Sequence, residues 1–223
     1  MNYLFVAGVE GCGHHMVEAL CSKALREPYV EKDGDWYNIL LARWSMNPHD
    51  VHDEDAMKKA IPGGKITHLY SQTSFPFDNP RDPLRRPDLM DMIRLMKVPT
   101  KILVLVRDPV LCTYSAIRRG FTDNLMLQAR IVEDNLIYLL SQLSQLHRSQ
   151  VHLVNVEQAH GNAANFAKFI SELWEIDTDL ILCGVSEIKK MGTREDIPPD
   201  DRKKLIEFFR PKQKMFGPLS PEI

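Results

Sequence analysis

The stretch "YLFVAGVEGCGHH", Tyr3 to His15, decides the fold of this protein. Its first residues, Tyr3 to Ala7, are apolar, as in a short buried strand. From Gly8 the sequence reads Gly-x4-Gly-His-His, the spacing of the phosphate-binding loop Gly-x4-Gly-Lys-[Ser/Thr] without its lysine and hydroxyl. After the glycines, apolar residues recur at helical spacing: Met16, Val17, Leu20, Cys21, Ala24 and Leu25. The order strand, glycine loop, helix predicts an anion site.

The candidate site consists of the loop residues Gly11, Cys12 and Gly13 and the two histidines that follow. Backbone amides at the start of a helix donate hydrogen bonds to an anion, and the helix dipole favours negative charge there. His14 and His15 stand where the lysine and the hydroxyl residue are missing. A histidine binds a phosphate as a cation or through a neutral N–H donor. The alternative is a glycine turn that serves packing, with histidines exposed to solvent.

The composition predicts one compact domain over residues 1–223, because 44% hydrophobic and 26% charged residues suit a globular core. A net charge of -2 argues against nucleic-acid binding and favours a small-molecule partner. The chain contains no apolar run of about 18 residues, so we expect no membrane span. Its first strand begins almost at Met1, and its four cysteines form no Cys-x2-Cys pair. We therefore expect a cytoplasmic protein.

Strand patterns keep alternating with helix patterns along the chain. The apolar run Lys101–Val106 is typical of a strand buried on both faces of a parallel sheet, so we expect it to be central. The alternation predicts a single-domain three-layer α/β fold, with a mostly parallel central sheet flanked by helices and loops gathered at the carboxyl ends of the strands. The other predicted elements are strands at 65–69 and 151–156, and helices near 87–96, 123–147 and 162–174.

A second candidate motif is "VLVRDPVLCTYSAIRRG", Val104 to Gly120. A buried strand ends at Arg107, a helix follows the Asp-Pro turn, and Ser115 lies eight positions after Arg107. An arginine at a strand end and a serine about two helical turns later can converge on one phosphate. The alternative is an arginine paired with Asp108 and a solvent-exposed serine.

These residues resemble a known family. The block from Arg107 to Ser115 is similar to the 3′-phosphate-binding motif of the sulfotransferases that use 3′-phosphoadenosine 5′-phosphosulfate (PAPS), including the arginine-to-serine spacing. In that resemblance "GVEGCGHH" takes the place of the 5′-phosphosulfate loop, without the family's loop lysine or arginine and its paired threonines. The segment after Lys65, "KITHLYSQTSFP", is similar to the Lys-Thr-His-Leu segment that ends the second strand in cytosolic members.

The resemblance continues toward the carboxyl terminus. The segment "VHLVNVEQAH" looks like the later strand and its Tyr-Glu-Asp turn, although Val156 replaces the tyrosine while Glu157 remains. The segment "KKMGTREDIPPDDRKKLIEFF" is similar to the family's carboxyl-terminal regions, and Arg194 lies in it. The resemblance implies a P-loop fold, PAPS as the donor, 3′-phosphoadenosine 5′-phosphate (PAP) as the product, and a small-molecule or sugar acceptor.

The resemblance also implies a division of roles. His68 would be the catalytic base that takes a proton from the acceptor's hydroxyl or amine. A protonated His14 or His15, with the loop amides, would stabilise charge on the departing phosphate oxygen. The alternative bases are glutamates, which some sulfotransferases use: Glu10, Glu18, Glu27 and Glu31.

Donor binding is the remaining role that the resemblance implies. Arg107 and Ser115 would hold the 3′-phosphate of the donor, with help from Arg194. The 5′ side would lie on Gly11, Cys12, Gly13, His14 and His15. This scheme requires no metal.

One alternative is a nucleotide-binding scaffold of the same fold that transfers no group. Three further alternatives are a kinase, a phosphatase and a metal-binding protein. A P-loop kinase needs the missing lysine and the Ser/Thr that binds magnesium. A cysteine phosphatase using Cys12 needs an arginine six positions later, where Glu18 stands. The segment "HDVHDED", residues 49–55, contains His-x2-His and carboxylates, but no further metal ligand is identifiable and a polar turn explains it. We therefore expect a sulfotransferase.

Overall fold

Five parallel strands form the centre of the computed structural model, which describes residues 1–33, 66–75, 89–90, 98–147 and 149–212. Their order across the sheet is β2-β3-β1-β4-β5, and every neighbouring pair is parallel. The α/β fold with a parallel central sheet is therefore confirmed. The strands are β1 (Asn2–Val9), β2 (Val30–Asp33), β3 (His68–Phe75), β4 (Thr100–Val106) and β5 (Val151–Asn155).

Helices flank this sheet. In the described residues they are α1 (His14–Cys21), α2 (Pro109–Arg118), α3 (Leu125–Leu143), α4 (Val156–Gly161), α5 (Ala163–Trp174), α6 (Thr178–Leu182) and α7 (Pro199–Phe209), with 3-10 turns at Ala24–Arg26, Cys183–Glu187, Arg194–Asp196 and Arg210–Lys212. The long helix expected over 123–147 is confirmed as α3. Within the described ranges, no helix is both long and apolar enough to cross a lipid bilayer.

The inner strands are covered on both faces, as their sequences predict. Every residue of β1 from Tyr3 to Val9 is buried, and so is β4 from Ile102 to Val106. The core around them contains aromatic side chains as well, because Trp174 and Tyr70 are almost completely buried. Helix α2 begins at Pro109 with the Asp108 carboxylate accepting a 3.0 Å hydrogen bond from the Val110 amide.

Two strands differ from the sequence expectation. The segment 65–69 was expected to contain the whole second strand, but β3 begins only at His68 and continues to Phe75. Its polar residues do not show a strand pattern, yet Ser71 is buried, with its hydroxyl against that of Tyr3. Strand β2 was not predicted, because three of its four residues are charged; as an edge strand it is held by its backbone pairing with β3. Of the helix expected near 87–96, only residues 89–90 are described, and they are helical.

The sheet brings three chain segments together where its strands end, which we call the carboxyl edge. Because the strands are parallel, the carboxyl ends of β1, β4 and β5 meet there. The glycine loop follows β1, Arg107 follows β4, and Glu157 lies at the start of α4 directly after β5. This carboxyl edge is where the candidate site lies.

Candidate functional site

The glycine loop is shaped by two residues in the left-handed region. Gly11 has φ 83° and Gly13 has φ 104°, which side chains other than glycine rarely adopt. A Cβ on Gly11 would lie 2.6 Å from the carbonyl oxygen of Cys112, and one on Gly13 would lie 2.9 Å from Cγ1 of Val156. The loop backbone thus packs directly against α2 and α4. Helix α1 begins immediately after it at His14, which puts the first helical amides beside the loop.

The two histidines of the motif have different environments. His14 is buried, with its Nδ1 3.7 Å from the Cys12 sulfur. His15 is 76% exposed, and its Nδ1 lies 3.6 Å from a carboxylate oxygen of Glu18. Burial raises the pKa of the Cys12 thiol well above its ordinary value. A neutral, buried thiol is a poor nucleophile, which argues further against a cysteine phosphatase.

Arg107 is a buried guanidinium that ties three segments together. Its Nη1 donates to the Gly11 carbonyl at 2.8 Å and its Nη2 to the Gly192 carbonyl at 3.0 Å. Its Nε donates to Glu157 Oε1 at 3.3 Å. An arginine has five N–H donors, so these bonds leave two for an anion. The residue expected to bind phosphate is therefore also part of the framework of the glycine loop.

A cavity of about 280 Å³ lies beside Arg107 and Ser115. The two side chains line the same space, which is the convergence that their spacing predicts. Arg118 and Arg119, at the end of α2, add positive charge to its wall. We call this space the arginine cavity; its other lining residues are Leu111, Tyr114, Gly192, Thr193 and Asp196.

Arg194 is not one of the residues that line the arginine cavity. Its Nε donates to the Asp108 carboxylate, so it holds the start of α2. From the same carboxyl-terminal segment, Gly192 and Thr193 line the cavity instead. The position of Arg194 thus gives no support to the expected contact with the donor's phosphate.

A larger cavity of about 630 Å³ adjoins the arginine cavity and shares Arg107, Arg119 and Gly192 with it. We call it the loop cavity, because Gly11 and Gly13 form part of its wall. Residues of α1 and of the segment 187–192 form the rest: His15, Met16, Glu18, Ala19, Ser22, Glu187, Lys189, Lys190 and Met191. The space next to the glycine loop is therefore lined by cationic side chains, by the loop backbone and by the carboxylates of Glu18 and Glu187.

His68 lies at the opposite edge of the sheet, so the prediction that it is the catalytic base is wrong. It is the first residue of β3 and pairs in register with Asn2, whereas the loop follows Val9 at the other end of β1. At about 3.3 Å per residue, the two ends of β1 are about 23 Å apart. The His68 ring nitrogens instead contact the Glu175 carbonyl at 3.1 Å and the Thr67 hydroxyl at 2.9 Å.

The alternative glutamates are divided between the two edges. Glu27 precedes β2, and Glu31 pairs with Leu69 near the start of β3. Both therefore lie where the strands begin, which we call the amino edge. Glu10 lies in the glycine loop and is paired with Arg119.

Glu18 lines the loop cavity, where its carboxylate accepts hydrogen bonds from Lys32 and, at 2.9 Å, from Gln72. Burial alone would raise its pKa, but these hydrogen bonds hold it below the ordinary value. Glu18 is therefore an ionised carboxylate on the cavity wall.

The metal-binding alternative falls on residues 49–55, which lie outside the described residues. In the part of the chain that the structure describes, no group of at least 3 His, Cys, Asp or Glu side chains could hold a metal ion.

Three solved structures resemble this one over most of their length. A sulfotransferase from Alicyclobacillus acidocaldarius superposes with a TM-score of 0.62 at 16% identity, covering 98% of this chain and 95% of that one. A mouse sulfotransferase complexed with PAP gives 0.56 at 12% identity, covering 95% and 84%. The sulfotransferase domain of the Synechococcus PCC 7002 olefin synthase gives 0.52 at 15% identity, covering 94% of each chain.

The chain has the sulfotransferase fold. At these identities the likeness concerns the fold alone. No family model and no curated protein matches the sequence.

Sequence reasoning missed several residues at the carboxyl edge of this sulfotransferase fold. Glu157 was recognised only as a remnant of a family turn, and its bond to Arg107 spans 50 positions. The Gly192 carbonyl lies 85 positions from Arg107. Arg119 lies in the motif Val104 to Gly120 but was not among the predicted site residues, and it lines both cavities. Such contacts have no local spacing signal, since only the sheet topology brings their segments together.

Proposed function

We propose that this protein is a sulfotransferase that transfers a sulfuryl group from PAPS to a hydroxyl or amine of a small-molecule or sugar acceptor. The observation that carries the proposal is that Arg107 and Ser115 line one cavity directly beside the glycine loop. A charged fork and a hydroxyl suit a phosphate on the adenosine ribose. The adjoining loop amides suit the 5′-phosphosulfate.

The charges around the arginine cavity fit such a donor. Arg118 and Arg119 add positive charge around the arginine cavity. Its acidic member Asp196 accepts hydrogen bonds from the Thr193 amide at 2.7 Å and from the Thr193 hydroxyl at 3.3 Å. Glu10 is likewise paired, with Arg119. Because protein donors engage both carboxylates, their charge opposes a bound phosphate less than a free carboxylate would.

Glu18 is the base that we propose in place of His68. It is ionised, it lines the loop cavity beside Gly11 and Gly13, and it lies on the first turns of α1. In the transfer, the acceptor's oxygen or nitrogen bonds to sulfur as the bond from sulfur to the 5′-phosphate oxygen breaks. The acceptor's proton passes to the Glu18 carboxylate, and the electron pair of the broken bond leaves with PAP.

The departing oxygen becomes negatively charged as that bond breaks. The amides at the start of α1 stabilise it, and His14 or His15 adds a donor at the same place. A cytoplasmic location and a small acceptor belong to the same proposal.

Calorimetry with 3′,5′-adenosine bisphosphate (PAP), AMP and magnesium-ATP tests the donor site. We expect a clear preference for PAP over AMP, because only PAP presents a 3′-phosphate to Arg107 and Ser115. Preference for magnesium-ATP would favour a kinase, and no binding of any of the three would refute the donor assignment.

Turnover of PAPS then separates an enzyme from a scaffold. Glu18→Gln preserves the size of the side chain and removes its basicity. We expect this variant to bind PAP like the parent protein and to lose transfer about 100-fold or more, the usual contribution of general base catalysis. Binding of PAP by the parent protein without any turnover over a broad acceptor screen would indicate a nucleotide-binding scaffold.

A further inference from the structure

The glycine loop presents an electrostatic problem for a phosphosulfate site. It has no lysine or arginine of its own, and Glu10 places a negative charge in it. Glu10 is only 15% exposed, so its charge is poorly screened by solvent. An anion on the loop amides therefore needs a cation from another part of the chain.

Arg119 is a cation from α2 that reaches this loop. It follows the last residue of α2, where its backbone amide donates to the Ala116 and Ile117 carbonyls. Its Nη1 contacts the Glu10 carboxylate, a pairing across 109 positions. The side chain is 38% exposed and lines both the arginine cavity and the loop cavity. The guanidinium is thus held at the glycine loop with further N–H donors beyond the one engaged by Glu10.

We propose that Arg119 takes the place of the missing loop lysine and binds the 5′-phosphate end of the adenosine donor. This inference rests on the proposed function, since it assigns a residue to the 5′ side of the same donor. The Glu10 carboxylate holds this guanidinium at the loop and competes with the anion for its N–H donors.

Other cations at the edge are less suited to this role. Arg118, the neighbouring residue, lines the arginine cavity but is absent from the lining of the loop cavity. Lys189 and Lys190 line the loop cavity, but the ion pairs of the described residues join Glu10 to Arg119 rather than to either lysine. Arg107 already donates to Gly11, Gly192 and Glu157. Arg107 and Arg119 both contact the loop and line the loop cavity, but Arg107 is buried and donates to three protein acceptors, whereas Arg119 is 38% exposed and paired with Glu10.

The test measures what each phosphate contributes to binding. Dissociation constants for 3′-AMP, 5′-AMP and PAP give the gain in affinity from the 5′-phosphate (3′-AMP against PAP) and from the 3′-phosphate (5′-AMP against PAP). We expect Arg119→Ala to reduce the 5′ gain about tenfold, as expected for loss of a charge-assisted hydrogen bond. The 3′ gain should change much less. Arg119→Lys should restore part of the 5′ gain.

Arg118→Ala is the matched control, because it removes the same charge one residue away. It should leave the 5′ gain unchanged. If Arg119→Ala reduced only the 3′ gain, or if both alanine variants reduced the 5′ gain equally, the assignment would be overturned. If the parent protein failed to bind PAP at all, the donor assignment itself would fail, and that outcome is distinct from a wrong assignment of Arg119.

A second variant covers the case in which Arg119→Ala disturbs the loop. Glu10→Gln keeps the arginine and removes the carboxylate's charge. We expect it to retain or increase the 5′ gain, because the guanidinium is then free of its charged competitor. A large loss of the 5′ gain in a folded Glu10→Gln protein would mean that the ion pair only builds the loop, and would overturn the proposal.

Discussion

The Nη1 of Arg107 donates a 2.8 Å hydrogen bond to the carbonyl oxygen of Gly11, although 96 positions separate the two residues in sequence. The bond joins the end of β4 to the glycine loop after β1. Because the same guanidinium lines the arginine cavity, the shape of the loop and the binding of a phosphate depend on one side chain. A substitution of Arg107 should therefore affect stability and ligand selectivity together.

Replacing Arg107 by alanine should remove the preference for PAP over AMP and destabilise the fold. The buried carbonyl of Gly11 would lose its charged donor, as would the Gly192 carbonyl. An unsatisfied buried polar group costs about 1–3 kcal/mol, so we expect a loss of about 2–4 kcal/mol in the free energy of unfolding. Urea titration and calorimetry measure the two effects.

Arg107→Lys is the matched variant, since it keeps the charge but cannot make the same fork. We expect it to recover part of the affinity and little of the stability. A fully stable Arg107→Ala protein with normal selectivity for PAP would contradict both roles of the side chain.

Gly13→Ala should abolish binding of PAP by distorting the loop. Its Cβ would lie 2.9 Å from Val156, and the backbone at φ 104° suits glycine. Gly120→Ala is the control, because Gly120 has a positive φ of 75° but nothing within 4 Å of an added Cβ. Both variants should lose about 1–2 kcal/mol of stability from the left-handed backbone. Only Gly13→Ala should lose more and fail to bind PAP; equal effects of the two would show that the loop tolerates a side chain.

The sequence predicts the elements whose apolar pattern is continuous. Strands β1 and β4 are buried over almost their whole length, and α3 buries Val132, Leu136 and Leu139 on one side, so each shows its period locally. Strand β2 has no such pattern: Val30 is buried, but the charged residues that follow it show no apolar period, and the strand is recognisable by its pairing with β3. The start of β3 was misplaced for a related reason: in its polar continuation Ser71 is buried, with its hydroxyl against that of Tyr3 on β1, which the local sequence does not indicate.

The candidate site was predictable where its residues are close in sequence. Arg107 and Ser115 share one strand-to-helix unit, so their spacing indicates that they converge. His68 was misassigned because a short segment similar to a family motif does not fix which end of the strand it occupies. The pairing of His68 with Asn2 places it at the amino edge. This register is set by the assembly of the whole sheet and cannot be inferred from the short segment alone.

His68→Ala should destabilise the protein and leave binding of PAP unchanged. The ring contacts the Glu175 carbonyl and packs edge-on against Tyr29 and Trp174, with centroid distances of 5.8 Å to each. Loss of the hydrogen bonds to Glu175 and Thr67 and of these ring contacts should cost about 1–3 kcal/mol. His15→Ala, an exposed position, is the control and should change stability by less than about 0.5 kcal/mol. A His68→Ala protein that is stable but binds PAP poorly would require His68 to act at the site.

The contribution of Glu18 to stability should depend on pH in one direction. Burial would raise its pKa, but the hydrogen bonds from Lys32 and Gln72 outweigh burial, so the folded-state pKa lies below the ordinary value of 4.5. The unfolded chain therefore binds a proton at Glu18 more readily than the folded one. The stability from this carboxylate is present above the unfolded pKa and is lost as pH falls through the folded pKa.

Urea titrations of the parent protein and Glu18→Gln from about pH 7 to about pH 3 measure this dependence. The unfolding free energy of the parent protein minus that of Glu18→Gln should be constant near neutral pH. Below about pH 4.5 this difference should fall, because the parent protein loses the stabilisation from the ionised carboxylate. Lys32→Met should weaken the pH dependence, because it removes a charged hydrogen-bond donor to Glu18. A difference that grows toward acid pH would mean that burial dominates and that Glu18 is protonated in the folded protein, which would also remove it as the proposed base.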